Sequence, residues 1–112
     1  MNRYIVKISD EALADMENIY NYIAYELLAP ENAEGQYDRI ADAILKLDSF
    51  PERFKIFESE PEHSLGIRRM VVDNYLVCYV VDPDVVTVVA VLYGASDVHT
   101  RLREKRIDGK NK

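Results

Sequence analysis

The chain changes its hydrophobic period once, near Pro51, and no other feature constrains its fold as strongly. Before that point Leu13, Met16, Ile19, Tyr20, Ile23 and Leu27 fall on one stripe of a helix, and Ala33, Tyr37, Ile40, Ala41, Ile44 and Leu45 fall on a second. Beyond it, "IRRMVV", "YLVCYVV" and "VVTVVAVLY" read as strands. A helical pair followed by a run of strands implies an α+β domain, with helices layered on a mostly antiparallel sheet of three to four strands.

Local signals set the boundaries. "RYIVKI" (3–8) suits a short N-terminal strand. Ser9 can cap the first helix, with Asp10 and Glu11 in the first turn where the helix dipole favours acids. That helix is predicted to reach about Leu28. Pro30 opens the second, and Pro51 ends it, because proline disfavours helical geometry in the residue before it. Two or three residues around "LAPE" would join the pair as an antiparallel hairpin. "RFKIF" (53–57) is a candidate edge strand and "EPEHSLG" a loop. Asp73-Asn74 and Asp82-Pro83-Asp84 are turns, the first of residue types that tolerate positive φ. "VVTVVAVLY", apolar on both faces, is expected to be a central strand covered on both sides. "SDVHTRLREKRI" reads as a short C-terminal helix, so residues 1–102 form the domain and 103–112 a basic, flexible tail.

Composition narrows the function classes. A chain of 112 residues suits one domain. No apolar run approaches the roughly 18 residues of a membrane span. The first twenty residues turn acidic within ten and carry no cleavable small-residue site, so a cytoplasmic location is expected. The single cysteine, Cys78, cannot form an internal disulfide and reads as a small core residue rather than a nucleophile. With 14 basic and 20 acidic side chains the net charge is −6, which argues against a surface that grips nucleic acid all over. The asymmetry is informative: residues 1–62 carry 6 basic and 14 acidic groups, residues 63–112 carry 8 and 6. Positive charge is therefore concentrated at Arg68, Arg69 and the segment from 101 onward, as a solvated tail or a binding patch. His63 and His99 are isolated from other ligand types, so no metal or other cofactor is expected. Tyr20, Tyr22, Tyr25 and Tyr37 read as helix residues with a buried ring and a wet hydroxyl, which leaves the strand tyrosines Tyr75, Tyr79 and Tyr93 open to other roles.

The ordered set "YIVKISDEALADMENIYNYI", "PENA", "IADAILKLDSFPER", "GIRRMVVDNYLVCYVVD" and "VAVLYGASD" resembles the RelE/ParE superfamily of bacterial toxins over residues 4–102. The resemblance implies a RelE/ParE-like α+β toxin of a type II toxin-antitoxin (plasmid stabilisation) module, neutralised by a cognate antitoxin. RelE-like members cut messenger RNA on the ribosome without a metal, and ParE-like members inhibit DNA gyrase.

Metal-free cleavage requires a base, an acid for the leaving oxygen and cations for the phosphorane charge. The resemblance supplies Arg69, Tyr93 and His99 as catalytic candidates, with Arg68, Tyr75, Asp97, Arg101 and Arg103 as binding candidates. Leu76, however, stands where the superfamily pattern usually has arginine, and Ala95 and Ser96 stand where ribonucleases tend to place more basic residues. Losing one preorganised cation typically removes about 3 kcal/mol of transition-state stabilisation, so two losses leave a feeble nuclease. Strand alternation also sends Arg68 and Arg69 to opposite faces. Arg68 then suits an ion pair with a helix carboxylate, Asp97 a helix cap and His99 a helix surface. The expected function is a ParE-like toxin that binds an essential target such as gyrase. The alternatives are a ribosome-dependent messenger endoribonuclease and a non-toxic, antitoxin-binding remnant, and homodimerisation is left open. An antitoxin would add a strand to a sheet edge or dock a helix, its acidic residues meeting the tail and Arg68 or Arg69.

Overall fold

The structure, a computed structural model, describes residues 3–93. Strand β1 (Ile5–Ile8) enters helix α1 (Asp10–Asn21) through Ser9. The Ser9 backbone N–H donates to Val88 O at 3.0 Å, and its Oγ accepts from the Ala12 N–H at 3.1 Å. One residue thus ties the strand to the sheet and caps the helix. The helical body continues to Glu26, but its last turn (Tyr22–Glu26) is a wider π-helical one. After Leu28, which takes a left-handed φ of 55°, helix α2 (Pro30–Leu45) starts with proline in its first turn.

Helix α2 ends earlier than Pro51 alone suggests. Residues Lys46–Asp48 tighten into a 3₁₀ turn, Phe50 is left-handed with φ 49°, and Pro51 opens a second 3₁₀ turn (Pro51–Arg53). Proline disfavours an α conformation at Phe50, so the chain must turn before it. The freed carbonyl of Asp48 accepts from the Tyr4 N–H at 2.9 Å, which satisfies one of the orphan acceptors of a helix end.

Strands β2 (Arg68–Val72), β3 (Tyr75–Val81) and β4 (Val85–Tyr93) complete a four-stranded sheet in the order β1-β4-β3-β2. β1 lies parallel to β4 and the other pairs are antiparallel, so the mostly antiparallel sheet expected from sequence is present with β4 at its centre. Asp73 adopts the positive φ (55°) expected of the β2–β3 turn, and its carboxylate accepts from Arg39 Nε at 2.8 Å and Gln36 Nε2 at 3.0 Å. The candidate edge strand 53–57 is reduced to one bridge, Ile56 to Arg68. Its first residues are pulled out of line. Arg53 folds back onto the Ser49 and Phe50 carbonyls, and Arg68 holds the carbonyls of Glu52 and Phe54. The C-terminal helix and the tail 103–112 lie outside the described residues. Among the described residues no helix is long and apolar enough to cross a membrane.

Two cores result. Ala12 and Met16 of α1, Ile40 and Ile44 of α2, and Leu47 pack on Met70, Val77, Tyr79, Val86, Val88 and Val91. On the other face Phe57 and Ile67 cover Leu76, Cys78, Ala90 and Leu92. Burying one aliphatic side chain contributes about 1.5–3 kcal/mol, whereas an exposed ion pair such as Arg3–Asp48 contributes about 0–1. The two apolar layers therefore hold the fold.

A bulge changes the parity of β4. Cys78 pairs with Ala90 but Tyr79 pairs with Val88, so Val89 is an extra residue. Val86 and Val88 face the helices before the bulge, and Val91 does so after it. The Asp15 carboxylate, buried on α1, accepts from the Val91 N–H at 3.1 Å. Asp15 was not singled out from sequence, although a carboxylate between Ala12 and Met16 of the buried stripe is the signal that could have found it.

Asp15→Ala should lower the unfolding free energy by about 2 kcal/mol, since a buried donor is left unpaired. Asp15→Asn keeps an acceptor and should lower it by roughly half as much. Urea denaturation reads both; an unaltered midpoint in Asp15→Ala would mean that strand packing alone holds the bulge. Tyr79, fully buried, donates its phenol to Pro51 O at 2.6 Å, and burial pushes its pKa up to about 12. Ionisation is easier in the unfolded chain, so this contribution is complete below pH ~10 and is lost as pH rises to about 12. Alkaline unfolding followed by tyrosinate absorbance should show this loss, and Tyr79→Phe should diminish it.

Candidate functional site

The two opening arginines of β2 part company. Arg68, on the helix-facing side, is largely buried and donates through Nη1 to Phe54 O at 2.7 Å and Glu52 O at 3.2 Å, with Nη2 3.7 Å from the Glu52 carboxylate. The expected ion pair exists, but Glu52 sits in the 3₁₀ turn rather than on either helix, and the backbone carbonyls are the closer partners. Arg68 therefore ties down the connection before β2, and this occupation removes it from the set able to receive an antitoxin's acids. Arg69 points to the other face, exposed, with its guanidinium 5.6 Å from the centroid of the Phe57 ring. That arrangement is a cation–π contact.

Tyr75 and Tyr93 are register partners across β3 and β4, and their rings meet edge-on at 5.4 Å. Tyr75 belongs to the helix-side core, so Tyr93 shares that face. Burial first, then the neighbouring Tyr93, Tyr22 and Asp73, raises the Tyr75 pKa, which keeps the phenol protonated and able to donate. Tyr22 thus stands beside this pair. The expectation that Tyr22 and Tyr25 bury their rings fails: both are exposed, whereas Tyr20 and Tyr37 are half-buried and stack edge-on at 6.3 Å. The places of Tyr22 and Tyr25 on the helix, off the stripe of Met16, Ile19 and Ile23, account for this.

Tyr75 and Tyr93 are therefore brought together, while Arg69 lies across the sheet from them. On the Arg69 face the neighbouring side chains are Leu76, Cys78, Ala90 and Leu92, all buried and apolar. Leu76 fills with hydrocarbon the position where the resemblance leads one to expect arginine. Asp97, His99, Arg101 and Arg103 lie outside the described residues. Among the described residues no group of three His, Cys, Asp or Glu side chains could hold a metal ion.

Comparison with known proteins agrees with the fold. The family model described as "ParE toxin of type II toxin-antitoxin system, parDE" matches residues 6–98. The fold is similar to that in the chromosomal ParDE toxin-antitoxin system from P. aeruginosa, with TM-score 0.69 and 19% identity over 82% of this chain and 97% of that one. It is also similar to a chain of the RelBE2 toxin-antitoxin complex from Mycobacterium tuberculosis (TM-score 0.58, 17% identity, 81% and 98% covered). A third likeness is to the YoeB dimer from Staphylococcus aureus (TM-score 0.55, 15% identity, 81% and 97% covered). No curated protein sequence matches.

The different surroundings of the two arginines give opposite mutational outcomes. Arg68→Ala should destabilise by about 2 kcal/mol through two lost charge-assisted hydrogen bonds, while Arg69→Ala should stay within about 0.5 kcal/mol of the parent. Paired urea melts decide, and equal losses would contradict the assignment of Arg68 as the fastening residue.

Proposed function

The chain belongs to the ParE toxin family of type II toxin-antitoxin systems, and from that membership we propose that it arrests growth by binding an essential protein target such as DNA gyrase, with a cognate antitoxin as its neutralising partner. The observation that favours binding over RNA cleavage is the separation of Arg69 from Tyr93 by the sheet itself. Phosphoryl chemistry needs its acid, base and cations within hydrogen-bond reach of one phosphate, about 3 Å. Groups on opposite faces cannot meet that condition together. Among the described residues the side chains beside Arg69 on that face are buried and apolar, and they add no second cation for a phosphorane.

The antitoxin has a physical way in. Among the described residues β1 pairs with β4 on one side only, and its other edge offers backbone donors and acceptors beside the exposed Ile5. An extended antitoxin segment can add there as a fifth strand, its main chain supplying affinity and its side chains specificity. A second copy of the chain could use the same edge.

Induced expression with and without a small antitoxin reading frame from beside its gene should show arrest only in the antitoxin's absence. The purified protein should inhibit supercoiling by gyrase while messenger RNA stays intact. Messenger fragments with defined ends and normal supercoiling would instead establish the ribonuclease reading. Unaltered growth on expression alone would mean a non-toxic remnant.

A further inference from the structure

The tip of the helical hairpin combines three unfavourable features within seven residues. The last turn of the first helix is π-wound, with the Leu27 N–H donating five residues back to Tyr22 O at 3.1 Å. Such turns occur mostly as single insertions and often at functional sites. Leu28 holds a left-handed backbone, φ 55°, that a leucine rarely adopts. Third, the tip exposes its large apolar side chains: Tyr22 56%, Tyr25 70%, Leu27 56% and Leu28 81%.

The exposure is not forced by sequence. Leu27 follows Ile23 by four residues, so a regular α-helix would carry it on the buried stripe of Ile19 and Ile23. It is instead exposed, directly after the π turn. On the same face of the sheet Tyr93, 63% exposed at the end of β4, adds a further exposed ring. A cluster of exposed large apolar side chains, kept at the expense of local conformation, marks an interaction site.

Charge identifies the occupant. Residues 10–38 contain no lysine, arginine or histidine and eight carboxylates, of which the exposed Glu26 and Glu31 flank the tip in sequence. The next basic residue, Arg39, is engaged by Asp73 at 2.8 Å. An acidic partner would meet repulsion on this surface, and a neutral apolar one would leave the flanking carboxylates uncompensated. We infer that this patch seats the docking segment of the antitoxin, and that the segment is cationic and amphipathic, with lysines or arginines beside large apolar residues. The inference rests on the toxin–antitoxin reading above and adds the place and the chemistry of the contact.

The test uses the full chain with the protein encoded by the small reading frame beside its own. Dissociation constants are measured at low and high salt for the parent, Tyr25→Ser, Leu28→Asn and Glu26→Lys/Glu31→Lys. Asparagine is chosen at 28 because it tolerates the left-handed backbone. Each variant should bind about tenfold more weakly or worse, with unchanged melting temperature because the replaced side chains are exposed. The defect of the charge-reversed variant should shrink as salt rises. A complex of parental affinity in all three variants would overturn the assigned surface while leaving the antitoxin reading intact. Tighter binding by the Lys variant would overturn the cationic segment. Absence of any complex with the neighbour would remove the antitoxin reading and this inference with it. Self-association of the parent that Leu28→Asn abolishes would give the patch to a second copy instead.

Discussion

Strand β4 must be covered on both faces, and the remaining elements are arranged around that need. It lies between β1 and β3, with Val86, Val88 and Val91 under the helices and Ala90 and Leu92 under Phe57 and Ile67. One amphipathic helix could not shield a sheet of this width, so a hairpin of two helices does. The second face is closed by the connection between the hairpin and β2, which explains why a segment with strand-like composition gives up pairing and turns over the sheet. Arg68 and Tyr79 hold that connection by its carbonyls, each from within the sheet. A guanidinium in this role satisfies backbone acceptors that water reaches poorly.

The bulge at Val89 carries this architecture into function. A one-residue insertion reverses the facing of every later side chain in the strand. With it, Tyr93 joins Tyr75 and Tyr22 at the end of the helix layer; without it, Tyr93 would join Arg69 and Leu76. Asp15 supports the reversed parity by giving the Val91 N–H an acceptor in a dry place. The basic and phenolic groups that might have shared one phosphate are thereby held apart. What the molecule offers instead is surface: an open strand edge at β1, an aromatic corner at the end of β4, and an acidic helical layer.

Much of this was legible in the residues. The Ser9 cap, the positive φ at Asp73, the buried Cys78 and the central place of β4 all follow from local periodicity and turn chemistry. The helical stripes do so for Met16, Ile23, Ala33, Ile40 and Ile44, whereas Leu13, Leu27 and Leu45 are exposed. Opposite facing of Arg68 and Arg69 followed from strand alternation alone. What was not legible depends on tertiary context. The fate of residues 53–57 is decided by Arg53 and Arg68 reaching their backbone, and no pattern within RFKIF announces it. The π turn at Tyr22–Glu26 differs from an α-helix by one hydrogen-bond step, too small a change to leave a periodic trace. Of the candidate site, Tyr75 and Tyr93 are neighbours, Arg68 is structural and Arg69 stands apart.

The account depends most on which side of the sheet Tyr93 occupies, and nuclear Overhauser contacts of its ring report that directly. Cross-peaks from the Tyr93 ring to the Tyr75 ring are the expected result. Cross-peaks to the side chains of Arg69 or Phe57 in their place would contradict it, because the bulge would then be absent and the basic and phenolic groups would share one face.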